Sequence, residues 1–124
     1  MDFNITILIV DDYESMRRIV KTTLKSIGFS NFIEAEDGAT ALKILEKENV
    51  DLIISDWIMP NMNGLDFLKA VKGNGKYKNI PFIMVTAEGH KSSVLEAIDA
   101  GVNNYIIKPF TSEILHKKIR KVLE

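Results

Sequence analysis

Two spacings of apolar residues alternate along this chain. Ile5 to Val10, ITILIV, is almost continuously apolar and rich in β-branched side chains, the pattern of a central strand covered on both faces. It ends at Asp11-Asp12. From Glu14 to Ile27 the residues Met16, Ile19, Val20, Thr23, Leu24 and Ile27 recur at helical spacing, Arg17, Arg18, Lys21 and Lys25 fall outside that face, and Gly28 is a stop signal. Phe32 to Ala35, mixed with Glu34, reads as an edge strand. Asp37-Gly38 turns the chain into a helix marked by Ala41, Leu42 and Leu45 that runs to about Glu48. Leu52, Ile53 and Ile54 form a short buried strand, stopped by Met59-Pro60-Asn61 and Asn63-Gly64. Leu65, Leu68 and Val71 give a third helix ending at Gly73-Asn74-Gly75, and Lys76 to Asn79 is a polar connection. Pro81 to Thr86 is a fourth strand, with proline where a missing ladder donor matters least. Val94, Leu95, Ala97 and Ile98 make a helix closed by Gly101, Tyr105 to Ile107 a fifth strand, and Leu115, Ile119, Val122 and Leu123 a fifth helix. Strictly alternating strands and helices with short connections predict a parallel α/β sheet with helices on both faces, because each crossover is right-handed.

That topology brings the carboxyl ends of all five strands to one rim, where open α/β sheets collect their ligands. Asp11 and Asp12 follow the first strand, Asp56 the third, Thr86 the fourth and Lys108 the fifth, while the second contributes nothing comparable. Taken singly, each has an ordinary explanation. Asp56 could be an acidic turn residue, Asp12 an N-cap, Thr86 a turn hydroxyl, and Lys108 a solvated residue held extended by Pro109. Together they form a constellation, since three carboxylates in one crevice repel unless a cation joins them or some protonate. Oxygen-only ligands favour a hard divalent ion, Mg²⁺ above all, whose remaining water positions can take phosphate oxygens. Lys108 would complete a phosphoryl-binding corner.

Composition narrows the field further. One compact domain accounts for 124 residues. A net charge of -1, from 16 basic and 17 acidic residues, supplies no global field to recruit nucleic acid or an anionic membrane. With no cysteine there is no disulfide framework, thiol nucleophile or thiolate metal site, which suits a reducing cytoplasm. No apolar run resembles a secretory signal or is long enough to span a bilayer.

The motifs VDD at Val10 to Asp12, MRRIV at Met16 to Val20, EAEDG at Glu34 to Gly38 and SDW at Ser55 to Trp57 closely resemble the receiver domains of two-component response regulators, in particular the chemotaxis members. So do MPNMNG at Met59 to Gly64, MVTAE at Met84 to Glu88, AG at Ala100-Gly101 and KPFT at Lys108 to Thr111, so that the likeness covers essentially the whole chain. It implies a flavodoxin-like (βα)5 fold, doubly wound with strand order 2-1-3-4-5, and a single receiver domain over residues 1–124 with no output domain. It also implies that Asp56 accepts a phosphoryl group from a phosphohistidine of a sensor histidine kinase. Asp11, Asp12, Asp56 and the backbone carbonyl of Ile58 would hold Mg²⁺. Thr86 and Lys108 would contact the phosphoryl group, and Tyr105 would turn inward when Thr86 moves. The readout face would comprise Lys91 to Ala100, Asn104 to Ile107 and Ser112 to Leu123. The basic residues His116, Lys117, Lys118, Arg120 and Lys121 of the last helix read, for the most part, as a solvated face.

The resemblance further implies a cytoplasmic monomer that signals through protein contact, with the flagellar motor switch as the partner and a phosphatase as a further possible one. It would be no enzyme beyond its own phosphorylation and slow dephosphorylation. Single-domain receivers that act as phosphate sinks or relay intermediates are the alternative. A Mg²⁺-dependent phosphohydrolase shares the acidic site but lacks any cap insertion, and a nucleotide binder would need glycines where Asp11-Asp12 stand. One departure stands out. Ile58 replaces the Asn that commonly follows Asp-Trp in the enteric chemotaxis members, which predicts slower loss of the phosphoryl group and questions a phosphatase that works close to this position. Glu88, two residues after Thr86, keeps the family's acid.

Overall fold

The computed structural model describes residues 1–87 and 89–124. Five strands alternate with five helices. They are β1 (Thr6–Val10), α1 (Glu14–Ile27), β2 (Asn31–Ala35), α2 (Gly38–Lys47), β3 (Leu52–Ser55), α3 (Gly64–Lys72), β4 (Phe82–Thr86), α4 (Lys91–Asp99), β5 (Asn104–Ile107) and α5 (Ser112–Leu123). All strand pairs are parallel and the sheet order is β2-β1-β3-β4-β5, the flavodoxin-like arrangement expected.

Alternation along the strands divides the interior into two layers. Leu8, Val10, Ile53, Phe82 and Met84 face one way and pack with Ala41 and Leu45 of α2, Phe67, Leu68 and Val71 of α3, and Ala97 of α4. Ile7, Ile9, Leu52, Ile54, Ile83 and Val85 face the other and pack with Val20 and Leu24 of α1 and Leu115 and Ile119 of α5. β1, β3 and β4 are buried along nearly their whole length because both layers cover them.

Local chemistry starts and stops the helices. Gly28 takes φ 130° after α1, and its N–H reaches the carbonyls of Leu24 and Lys25, a conformation in which a side chain would be strained. Asp37 caps α2 by accepting the Thr40 N–H, Asn63 caps α3 through Asp66 N–H, and Thr111 caps α5 through Ile114 N–H. Asp12 caps nothing, because α1 is preceded by Tyr13 without a side-chain cap.

Both helices form as expected, but their apolar stripes are not covered throughout: Ile19 of α1 and Leu95 and Ile98 of α4 are half exposed. A helical period marks an amphipathic face without fixing which neighbour covers it. Conversely, the polar connection Lys76 to Asn79 hides Tyr77, which is buried among Leu45, Val50 and Ile80 with the Lys76 ammonium 5.9 Å from its ring centroid. Arg17 lies outside the apolar face of α1 as expected, and its side chain is nonetheless only 11% exposed.

Candidate functional site

The sheet order reverses between β1 and β3, so the chain leaves these neighbouring strands in diverging directions and opens a crevice at their carboxyl ends. Asp11 follows β1 and Asp56 follows β3. The backbone ties them into register, with Asp56 N–H donating to Val10 O at 2.9 Å and Asp11 N–H to Ala35 O at 3.1 Å. Carboxylate oxygens of Asp11, Asp12 and Asp56 lie within 4.8 Å of one another, as the strand-end reading requires.

Each carboxylate is held differently. Asp56 Oδ1 accepts the Trp57 N–H at 2.7 Å. Asp11 Oδ1 accepts the Tyr13 N–H at 3.0 Å. The Lys108 ammonium bridges the remaining oxygens, 3.1 Å from Asp11 Oδ2 and 3.3 Å from Asp56 Oδ2, and so partly neutralises the cluster. Burial pushes the Asp11 carboxyl above its ordinary range, an effect that the Tyr13 N–H and Lys108 offset only in part. Asp12 Oδ1 is buried and has no hydrogen-bond partner among the described residues. An orphaned carboxylate oxygen beside two further carboxylates is costly to keep dry, and a hard cation would relieve it. The donor set therefore fits Mg²⁺.

Thr86 ends β4 and is buried, and its carbonyl accepts the Lys108 N–H at 2.9 Å, which fixes where the lysine leaves the backbone. Tyr105 lies on the edge strand β5, half-buried, with its ring edge-on to that of Trp57 at 6.5 Å. Ile58 is 67% exposed at the rim. Glu88 lies outside the described residues.

The loop from Asp56 to Gly64 is clamped from two sides. Asn61, at φ 65°, donates through Nδ2 to Asp37 Oδ2 at 2.6 Å, and Gly38 N–H donates to Met62 O at 3.2 Å. Gly64 N–H donates to Trp57 O at 2.7 Å, and a Cβ at Gly64 would collide with the Asp56 carbonyl oxygen and sit 2.7 Å from Trp57 Cα. The second strand places no residue in the acidic cluster but supports it from behind. Asp37, just beyond β2, steadies the loop, and Glu34 within β2 pairs with Arg17 and Lys21. Arg17 Nη1 in turn donates to the Asp11 carbonyl at 2.6 Å. The sequence puts Arg17 outside the apolar face of α1, and helical spacing cannot say where a long side chain folds.

Residues 7–120 match the response regulator receiver domain. The chain belongs to the response regulator receiver family. It is 49% identical over 118 residues to the chemotaxis protein CheY of Pseudomonas aeruginosa, covering 95% of each chain. It is 50% identical to the CheY homologue of Campylobacter jejuni, covering 94% of this chain and 91% of that one. Among solved structures it superposes on the chemotaxis response regulator CheY4 of Vibrio cholerae with a TM-score of 0.86 and 37% identity, over 96% of this chain and 98% of the other. It is thus a CheY-like receiver, a signalling protein and not an enzyme. No helix among the described residues is long and apolar enough to cross a membrane.

Proposed function

We propose that this receiver takes a phosphoryl group on Asp56 from the phosphohistidine of a sensor kinase, with Mg²⁺ bound by Asp11, Asp12, Asp56 and the Ile58 carbonyl, and signals in chemotaxis from the cytoplasm to the flagellar motor switch. The observation that carries the reading is the buried, partnerless Oδ1 of Asp12 beside the Lys108-bridged pair of Asp11 and Asp56. The chemotaxis names of relatives at about half identity support the pathway.

A carboxylate is a weak nucleophile toward phosphorus, so the protein's contribution is positioning and charge neutralisation. Trp57 N–H holds Asp56 Oδ1, which leaves Oδ2, now paired with Lys108, as the oxygen to attack. The P–N bond to the donor imidazole breaks as the O–P bond to Asp56 forms. Lys108 then exchanges its carboxylate partner for a phosphoryl oxygen, and the Thr86 hydroxyl supplies a neutral donor from the adjoining strand. Mg²⁺, when bound, neutralises charge on the phosphoryl oxygens. The new dianion changes what Thr86 and Tyr105 face, and these residues bias the surface of α4, β5 and α5. That surface exposes Leu95, Ile98, Ile107 and Ile114, apolar side chains suited to a protein partner.

Trp57, the only tryptophan, is the probe for the test. Wild type and Asp56→Asn are titrated with Mg²⁺ and then given acetyl phosphate, following Trp57 emission and intact mass. A Mg²⁺ response together with a phosphoryl mass in wild type alone is expected. No adduct in wild type despite Mg²⁺ binding would remove Asp56 as the acceptor.

A further inference from the structure

Arg17 is a half-buried cation beside the acidic cluster, and the phosphoryl chemistry above makes no use of it. Its Nε donates to Glu34 Oε1 at 3.1 Å, and Lys21 holds the other oxygen of the same carboxylate at 3.0 Å. The two cations hold the Glu34 carboxyl below its usual range, Lys21 more strongly than Arg17, so Glu34 is a charged anchor at neutral pH. From this anchor the guanidinium reaches across from β2 to the end of β1, where Nη1 donates to the Asp11 carbonyl oxygen at 2.6 Å. That carbonyl belongs to the peptide joining Asp11 to Asp12. Because the peptide is planar, its orientation fixes where the Asp12 N–H and Cα lie, the platform from which the Asp12 side chain leaves the backbone. The Asp12 carboxylate has no such support of its own, since its buried Oδ1 lacks a partner among the described residues. Asp11, by contrast, is held through its side chain by Tyr13 N–H and Lys108.

We infer that Arg17 is a positioning residue for the metal site, a strut anchored on Glu34 that fixes the Asp11-Asp12 peptide and so presents Asp12 to the cation. The inference rests on the Mg²⁺ reading of the cluster. Its physical signature is one of sign. As a bare charge, a guanidinium near a cation site repels Mg²⁺, so removing it should tighten binding. As a strut, it holds the ligand in place, so removing it should weaken binding, as loss of an outer-shell partner does in metal sites generally. Lysine retains the charge but lacks the planar fork that spans Glu34 and the carbonyl together.

Mg²⁺ dissociation constants are measured by Trp57 emission and by calorimetry for wild type, Arg17→Lys, Arg17→Ala and Glu34→Gln. Arg18→Ala, which breaks only the exposed pair with Glu14, is the control. Urea midpoints are recorded in parallel, without Mg²⁺. Arg17→Lys and Arg17→Ala are expected to bind Mg²⁺ about 10-fold more weakly, with a smaller loss in Glu34→Gln and none in Arg18→Ala. Unchanged or tighter binding in Arg17→Lys overturns the strut, as does a fall in the urea midpoint without any change in the dissociation constant. Should Arg17→Ala not fold, Arg17→Lys and Glu34→Gln decide. A wild type that does not respond to Mg²⁺ by either method would instead remove the Mg²⁺ reading itself.

Discussion

The ring of Tyr105 meets that of Trp57 edge-on, with centroids 6.5 Å apart and planes at 64°. The same Trp57 donates its backbone N–H to Asp56 Oδ1. One residue therefore touches both the acidic crevice and the aromatic at the sheet edge. Edge-to-face pairs of this kind contribute about 0.5–1.5 kcal/mol, enough to bias a side chain between two positions. Tyr105→Leu should leave the phosphoryl mass adduct at wild-type yield while reducing the emission change that acetyl phosphate produces at Trp57. A full emission change in that variant would detach Tyr105 from the response.

Lys108 is the cation that offsets Asp11 and Asp56 before any metal arrives. With its side chain only 15% exposed, its removal leaves two carboxylates facing each other in a poorly solvated crevice. Lys108→Ala in EDTA should lose on the order of 3 kcal/mol in urea unfolding at neutral pH, the cost of orphaning one side of a buried pair. Mg²⁺ should return most of that loss, and should bind Lys108→Ala more tightly than wild type because a competing charge has gone. A Mg²⁺-independent stability loss would show that Lys108 acts through packing instead.

Ile58 places an exposed branched hydrocarbon at the rim of the crevice. It cannot orient a water molecule for attack on an acyl phosphate, whereas an amide can. Ile58→Asn is expected to shorten the phosphoryl lifetime several-fold, measured by quenching the donor and following loss of the adduct mass. Equal lifetimes would exonerate this side chain.

Asp37 is buried, and hydrogen bonds from Thr40 N–H first and Asn61 second hold its carboxyl below the ordinary value of 3.8. Above pH 3.8 the carboxylate is ionised in both folded and unfolded chains, and its whole contribution to stability is present. As pH falls, the unfolded chain takes up the proton first, so the contribution shrinks and is gone below the folded value. Asp37→Ala should cost about 2 kcal/mol at neutral pH, from a lost cap and a charge-assisted bond. It should also flatten the acid limb of the stability curve below pH 4, roughly the ordinary carboxylate range. A parallel acid limb in wild type and variant would contradict the assignment.

The rim was readable because short β-branched runs announce strands, and whatever follows a parallel strand must emerge at the same edge. Asp11, Asp12, Asp56, Thr86 and Lys108 needed nothing more than that. What stayed hidden depends on long side chains and distant pairings. Asp37 looks like an ordinary turn residue until Asn61, 24 positions later, is found against it. Arg17 and Glu34 lie on separate elements, and no periodicity reveals that a guanidinium will bend toward a backbone carbonyl. Leu95 and Ile98 mark α4 correctly, yet their exposure stayed hidden, since helical spacing identifies an apolar face whether or not the chain supplies its cover.

The missing side chain at Gly64 has a mechanical meaning. With its backbone pressed against Asp56 and Trp57, α3 stands behind the acidic residue as a rigid abutment, and the Asp37–Asn61 bond braces the loop between them. On the proposed function, a dianion at Asp56 would meet this braced flank on one side, and the lightly covered α4 beyond β4 and β5 would be left to take up the change.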